Sequence, residues 1–385
     1  MNKLQFLTSS QGEQLLTRLS DEDLSDANTL KLVTLLRKEY TVEEIHAALT
    51  LSRLRLKAVS KFGVDAARMF FTEDALQQAS DPQVRAYRAR LLGDHVIDIC
   101  CGIGADSLAF AAAGANVIGI DLDPIRLYMA QLNAIALNQT HVKFVLADAR
   151  TKILRRAKAI FFDPARRDAI GKRIYDVKNY IPPLETVKTF EADHIAVKLS
   201  PGVDMAQLAA YGGRVEFISV DGELKEAILW LDGYVAPPVA TLISHGRTYH
   251  WREEAIKAEL SEPRQWLVEP DAAVIRAGLV TNVAVTFNGY LLDETIAYFT
   301  ADSKPISPWV RAWKILDWMP FNLKQLRAYL REQGVGHVTV KKRGSPLTPE
   351  TLIPQLKLKG DVSRTLVLTR YKNQPIVIIC ADYTV

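Results

Sequence analysis

The sequence predicts an α/β fold: a largely parallel sheet with helices on both faces, a helical region before it and a small α+β domain after it. Three observations predict this. Residues 1–80 carry helical periodicity. From residue 94 onward, short apolar runs alternate with helical stretches, the pattern of a parallel sheet. Residues 306–385 return to a mixture of short helices and strands.

In the first region Thr41-Val-Glu-Glu44 has the form of a capping box. Behind it Val42, Ile45, Leu49, Ser52, Leu56 and Val59 step by threes and fours, which predicts one mostly apolar helix face. Leu30–Leu36 has similar character, and further helices are expected after Thr72 and through Val84–Leu92. These stripes read as core.

Seven strands are expected next: His95–Cys100, Asn116–Asp121, Val142–Leu146, Ala159–Phe162, His194–Leu199, Val215–Val220 and Ala227–Leu231. Helical stretches separate the first five. Asp221-Gly222 joins the last two, so a hairpin should end an otherwise parallel sheet. Ala236-Pro-Pro238 and Ser303–Pro308 punctuate the chain. Four segments follow: 1–80, 81–235, 236–305 and 306–385. The third is mixed, with a helix near Glu269–Leu279 and a strand at Asn282–Phe287. The fourth offers a helix (Leu323–Gln333), a strand (His337–Lys342), a helix (Pro349–Leu356) and two strands (Thr365–Thr369, Ile376–Cys380).

Composition narrows the class. Apolar residues make up 48% and charged residues 24%, an ordinary globular balance. No apolar run approaches the roughly 20 residues of a membrane span, and the first residues lack the apolar core of a signal peptide. Of the three cysteines, Cys100 and Cys101 are neighbours. A disulfide framework is therefore not expected, and a reducing, cytoplasmic setting is. The seven histidines form no metal-ligand pattern, so no metal is expected. Residues 301–385 hold 14 Lys/Arg against 6 Asp/Glu. Such a basic tail suits either a polyanionic partner or a solvated face.

The sharpest signal is Asp98-Ile-Cys-Cys-Gly-Ile-Gly104-Ala-Asp106, a strand running into a glycine turn and then a helix. Glycines there allow a tight turn and close approach of a ligand. The next three strands also end in acids: Asp121, Asp148 and Asp163. In an open α/β sheet that edge is the ligand crevice. A single acid there could be a helix cap; four in register point to a ligand. A carboxylate at Asp121 can take both hydroxyls of a ribose, and one at Asp148 can reach an adenine amine. A dinucleotide is the obvious competitor. It wants a third glycine near Ser107 and an anion-friendly turn. Asp98 and Asp106 instead crowd this turn with negative charge, which suits a sulfonium and an α-ammonium: S-adenosylmethionine (SAM).

These residues resemble the class I SAM-dependent methyltransferases. The Asp-x-x-Cys-Gly-x-Gly form, with Cys100 in place of the first glycine, resembles RNA-modifying members such as trimethylguanosine synthases and RNA uracil methyltransferases. Nearly the whole chain resembles a bacterial group with an N-terminal helical region and a C-terminal THUMP-like domain. Matching stretches are Phe162-Asp-Pro-Ala-Arg-Arg167, Val197-Lys-Leu-Ser-Pro-Gly202, Glu269-Pro-Asp-Ala-Ala-Val-Ile-Arg276 and Lys341-Lys-Arg-Gly344. The resemblance implies a Rossmann-like, seven-stranded methyltransferase sheet. Asp98, Cys100, Gly102, Gly104 and Asp106 would surround the methionine end of SAM. Asp121 would hold the ribose and Asp148 the adenine, with Leu122 and Ala149 flanking the ring.

Asp163-Pro164 stands where aminomethylating enzymes have Asn/Asp-Pro-Pro-aromatic. There the acid and a backbone carbonyl hold the acceptor amine while the aromatic stacks the base. This chain has Ala165 and Arg166 in the last two places. Arg166 and Arg167 suit a phosphate-bearing substrate, or pairing with Asp168 or Asp176. Carbon-5 pyrimidine chemistry is set aside, since no cysteine lies near the fourth strand. A THUMP-like tail implies RNA binding, with Lys341, Lys342 and Arg343 as contacts. Trp309, Trp313 and Trp318 read as core. The expectation is an RNA methyltransferase with no obligate protein partner. A small-molecule or protein methyltransferase, or a non-catalytic SAM- or RNA-binding protein, stays open.

Overall fold

The computed structural model describes residues 2–151, 156–168, 170–252 and 256–382. The chain divides into two compact units, Met1–Gly213 with Ala227–Tyr234, and Arg214–Glu226 with Val235–Val385.

The first unit opens with six helices: α1 (Asn2–Leu7), α2 (Ser10–Ser20), α3 (Asp26–Leu36), α4 (Val42–Phe62), α5 (Glu73–Gln78) and α6 (Pro82–Leu91). Side-chain caps start four of them, at Ser9, Thr41, Thr72 and Asp81. Each cap pairs an amide that the first helical turn leaves without a partner. The capping box at Thr41 and Glu44 forms as expected. The apolar stripe behind it holds only in part. Ile45, Leu49 and Ser52 are buried, whereas Val42, Leu56 and Val59 are exposed. Over 21 residues the buried face drifts to Leu51, Leu54 and Ala58, because a strict three-and-four spacing falls out of step with 3.6 residues per turn.

The sheet follows: β1 (His95–Ile99), α7 (Ala105–Ala112), β2 (Asn116–Asp121), α8 (Pro124–Ala136), β3 (Val142–Leu146), β4 (Ala157–Phe162), β5 (Ala192–Leu199), β6 (Arg214–Val220) and β7 (Glu223–Leu231). All seven expected strands form. Within the first unit the order is β3-β2-β1-β4-β5-β7. The pairs from β1 to β5 are parallel, and β7 runs antiparallel to β5 through Ala227–Leu231. Ile160, Phe161 and Phe162 on β4 are wholly buried, as expected of a strand covered on both faces. One side chain pins the glycine turn. Asn133 on α8 is fully buried. Its Oδ1 accepts from the Phe70 amide at 2.7 Å, and its Nδ2 donates to the carbonyls of Phe70 and Ile103 at 3.1 Å each.

In the second unit β6 pairs in parallel with β8 (Val239–Ser244), which forms a hairpin with β9 (Arg247–Arg252). The turn between β6 and β7 places Asp221 and Gly222 both at positive φ, the backbone of a type I′ hairpin. Next come β10 (Trp266–Pro270), α9 (Ala272–Ala277), α10 (Val280–Thr286), β11 (Tyr290–Leu291), β12 (Phe299–Ala301), β13 (Val310–Pro320), α11 (Leu323–Glu332), β14 (Val335–Lys342), α12 (Pro349–Leu356), β15 (Val362–Tyr371) and β16 (Gln374–Ala381). They build a seven-stranded sheet in the order β11-β12-β10-β13-β16-β15-β14. Leu326, Leu330, Leu352 and Leu356 from α11 and α12 pack with Leu366, Leu368, Val377 and Ile379. Trp313, Leu267 and Tyr298 pack with Val367, Ile376 and Ile378. Since side chains alternate along a strand, these are the sheet's two faces. The strand expected at Asn282–Phe287 is a helix. Its alternating β-branched residues mimic a strand, but Val283 and Ala284 are buried together, and packing overrides propensity.

Replacing Asn133 by alanine strands two carbonyls and one amide in the core. Asn133→Ala is expected to cost about 3 kcal/mol of unfolding free energy. Urea denaturation checks this; a loss below about 1 kcal/mol would show that the turn is held by other means.

Candidate active site

Asp98, Asp121, Asp148 and Asp163 lie on or just after β1, β2, β3 and β4, four strands contiguous in the sheet. Parallel pairing brings their carboxyl ends to one edge. The Cys100 thiol reports the convergence. Burial first, then the charges of Asp121, Asp163, Asp98 and Asp148, push it well above its usual range. Burial and the charges of Asp98 and Asp121 do the same to Cys101.

Cys100, Gly102 and Gly104 all take positive φ (64°, 57° and 81°). A Cβ added at Gly102 would meet nothing within 4 Å, so the turn is open there. At Gly104 it would crowd Phe144 and Ala130 at 3.1 and 3.2 Å. Gly104 therefore serves packing as well as conformation. Asp121 braces the turn, its Oδ2 accepting from the Gly102 amide at 2.8 Å and its Oδ1 from the Asp123 amide at 2.9 Å. Leu122 is exposed and Ala149 buried. Asp148 is gripped by Arg150 through three guanidinium contacts of 2.9, 3.1 and 2.6 Å. The Arg150 hydrogen bonds hold its carboxyl down at about 2.

The acids near the turn differ sharply in their partners. Asp98 is buried and accepts the Ser107 hydroxyl on Oδ2 at 2.5 Å. Among the described residues its buried Oδ1 has no hydrogen-bond partner. Burial, and then the charge of Asp106, push its pKa up to about 8. Asp106 does not face the turn as a free charge. It contacts Arg88 Nη2 of α6, a fully buried guanidinium stacked 4.6 Å from the Phe161 ring. Burial raises Asp106, but Arg88, Lys198 and Arg85 outweigh it and hold the carboxyl below its usual range. Asp163 accepts from Lys198 Nζ on Oδ2 at 2.7 Å. Lys198 is buried and also reaches the Gln78 carbonyl at 3.3 Å. Among the described residues Asp163 Oδ1 has no hydrogen-bond partner, and Pro164 beside it is buried. Arg166 is half-buried, and Arg167 donates to the Gly171 carbonyl at 2.9 Å rather than to Asp168 or Asp176.

Sequence reasoning missed Arg88 and Arg150 entirely and gave Lys198 no pairing. Arg88 and Lys198 are 18 and 35 residues from their acids, so no local pattern announces them.

A family model for RNA cap guanine-N2 methyltransferases matches residues 93–201, and one described as THUMP domain-like matches 310–382. A model for a domain of unknown function matches 1–58. A relative from Mycobacterium tuberculosis, named as an uncharacterized SAM-dependent methyltransferase, is 32% identical over 329 residues. The match spans 82% of this chain and 90% of the relative. This chain belongs to the SAM-dependent methyltransferases. A protein of Nitratidesulfovibrio vulgaris, named as an uncharacterized RNA methyltransferase, is 35% identical over 71 residues, 18% of this chain and 15% of its own. The crystal structure of a proposed methyltransferase from Porphyromonas gingivalis shares the fold. Its TM-score is 0.76 at 18% identity, over 96% of both chains.

The methyltransferase therefore uses SAM, and its turn fits that cofactor. The unpartnered Asp98 oxygen can take an ammonium, and Gly102 leaves room for a close approach. Among the described residues no group of acids, histidines and cysteines could hold a metal, and no helix is long and apolar enough to cross a membrane.

In the second unit two of the three tail cations have a carboxylate partner. Lys341 Nζ contacts Glu269 Oε2 at 2.5 Å and Arg343 contacts its Oε1 at 3.3 Å. Lys341 also lies 4.3 Å from the Trp313 ring. Both charges are neutralised inside their own unit, while Lys342 is exposed. Trp309 and Trp313 are buried, as core residues should be.

Two outcomes follow. The folded chain keeps the Asp98 proton up to about pH 8, whereas the unfolded chain releases it near 3.8. Stability from this group thus falls as pH rises through that window and is level above it. Asp98→Asn is expected to gain stability over the wild type as pH rises, read from denaturant midpoints at both ends of the window; a constant gap would refute the raised pKa. Lys341→Ala is expected to lose about 1 kcal/mol of stability, because Glu269 Oε2 loses its cation and only Oε1 keeps partners, Arg343 and the Tyr298 hydroxyl, among the described residues, with little change in RNA affinity. A large loss of RNA affinity with unchanged stability would show a direct contact.

Proposed function

We propose that this enzyme methylates RNA and that Asp163-Pro164 receives the acceptor group. The observation that carries the reading is Asp163: Lys198 fixes one carboxylate oxygen and the other stays open, beside the cofactor acids. Asp98, Cys100, Gly102 and Gly104 hold the methionine end. Asp121 takes the ribose. Leu122 and Ala149 flank the adenine, and Asp148 takes its amine once Arg150 shifts. Asp106 acts through Arg88 by balancing charge behind the turn.

Bound SAM supplies an electrophilic methyl group on a sulfonium. The chain's part is alignment and proton handling. An acceptor N–H donates to Asp163 Oδ1, and the proton released on methylation has a carboxylate to receive it. Arg166 and Arg167 provide positive charge for a phosphate. Segment 81–235 does the chemistry in the cytoplasm. Segment 306–385 recruits RNA, with Lys342 as its exposed cation at the end of β14. The THUMP domain-like match and the RNA cap guanine-N2 methyltransferase model matched by 93–201 support this choice of substrate. A small-molecule or protein acceptor is the competing reading.

Asp163→Ala is expected to lower the rate of methyl transfer from labelled SAM to RNA at least about 100-fold, with S-adenosylhomocysteine binding unchanged by calorimetry. Label appearing only in protein or small metabolites would refute the RNA reading. Full activity of Asp163→Ala would refute the acceptor role.

A further inference from the structure

The aromatic residue that usually follows an Asp-Pro acceptor motif is missing from this chain, because Arg166 stands in its place. The structure brings an exposed tyrosine back near that position by another route. After Pro164 the chain folds back on itself. Ala165 pairs with Ile181, and Arg167 with Arg173, both antiparallel. The Ile174 amide donates to the Arg166 carbonyl at 2.8 Å. Ile174 therefore sits across the hairpin from Arg166, and Tyr175 is the next residue along the returning strand. It is 71% exposed, whereas Tyr180 in the same excursion is 1% exposed and serves as a packed wedge.

The hairpin is also charged in one sense. Residues 165–181 hold five Lys/Arg against two Asp. Both acids are occupied by backbone. Asp168 accepts from the Ile170 and Lys172 amides at 3.1 and 2.8 Å, and Asp176 from the Lys178 amide at 2.9 Å. Among the described residues Arg166, Arg167, Lys172 and Arg173 form no ion pair with a carboxylate. Elsewhere around the site Arg88, Arg150 and Lys198 each have one. The charges of Arg166 and Arg173 both reach Tyr180. Burial raises the Tyr180 phenol, and both guanidiniums oppose the rise.

Unneutralised cations beside an exposed aromatic suit a single nucleic-acid strand. Phosphates pair with the guanidiniums, and a base stacks on the ring. We propose that this hairpin grips single-stranded RNA next to the acceptor nucleotide, with Arg166 and Arg173 on phosphates and Tyr175 stacked on a base. The proposal rests on the RNA reading above and adds the contacts that would hold the strand.

The test is fluorescence anisotropy with a short fluorescein-labelled single-stranded oligoribonucleotide, using the full chain. Tyr175→Ala is expected to weaken binding about tenfold while Tyr175→Phe keeps it, since stacking needs the ring and not the hydroxyl. Arg166→Ala with Arg173→Ala is expected to flatten the log–log salt slope by about 1.4, two phosphates on a single strand. S-adenosylhomocysteine calorimetry checks that each variant is folded. A crosslinking arm on the wild type needs no variant: a thiouridine-bearing strand is expected to attach within the tryptic peptide Ile174–Lys178. Unchanged affinity and slope in all variants, or crosslinks that avoid this peptide, would overturn the proposal. If the variants still methylate RNA normally, the hairpin role falls and the RNA reading stands. If they lose strand binding while the wild type labels no RNA, the hairpin role stands and the RNA acceptor falls.

Discussion

Asp98, Asp106 and Asp163 bring three carboxylates to one end of the sheet, and their partners are unequal. Asp106 has the buried Arg88 in contact and Asp163 has the buried Lys198. Among the described residues Asp98 has only the Ser107 hydroxyl. A buried carboxylate without a cation is costly, so the group holds its proton instead. This imbalance leaves one seat at the glycine turn where a positive charge would be welcome. A dinucleotide diphosphate would worsen the imbalance, and an ammonium would relieve it. The cofactor preference of the turn thus comes from one unpaired acid more than from the number of acids around it.

The same constraint explains why the helical region belongs to the first unit. Arg88 comes from α6, and without it Asp106 would be a second unpaired buried acid. The last turn of α5 is held by two lysines from elsewhere in the chain. Lys61 Nζ donates to the carbonyls of Leu76, Gln77 and Ala79, and Lys198 to that of Gln78. The carboxyl end of a helix is its negative pole, so it attracts cations. Lys198 therefore stands between a helix terminus and Asp163, and its ammonium satisfies both. Asp163 is positioned partly by a helix that precedes the sheet.

Much of this was legible in the sequence, for a physical reason. The strands are short apolar runs with period-two or fully buried character, and the glycine turn must use residues that tolerate positive φ. Asp98, Asp121, Asp148 and Asp163 could be found because parallel strands put their carboxyl ends in register. What could not be read were the groups that answer those acids. Arg88 and Lys198 pair across folds of the chain that no local period encodes. Val280–Thr286 misled for the opposite reason: its local pattern is that of a strand, and only burial of one helical face overrides it. The long strand β13 was missed because Arg311, Lys314 and Asp317 interrupt its apolar residues.

Charge counting along the chain was the least dependable guide to a polyanion surface. The tail carries the larger excess of Lys/Arg, yet Glu269 absorbs Lys341 and Arg343 within the same unit. The hairpin after Asp163 carries a smaller excess, and its acids are engaged with backbone amides while its guanidiniums lack carboxylates. A cation already paired gains less from a phosphate, because it must first give up its own carboxylate and be resolvated. Among the described residues the tail also keeps cations without a carboxylate, Lys342, Lys357, Lys359 and Lys372 among them, whereas those of the hairpin follow Asp163 directly in the chain. A basic tail can still raise the local concentration of RNA through its exposed lysines. A contact that acts at Asp163 must lie close to it, and the hairpin follows Asp163 directly in the chain.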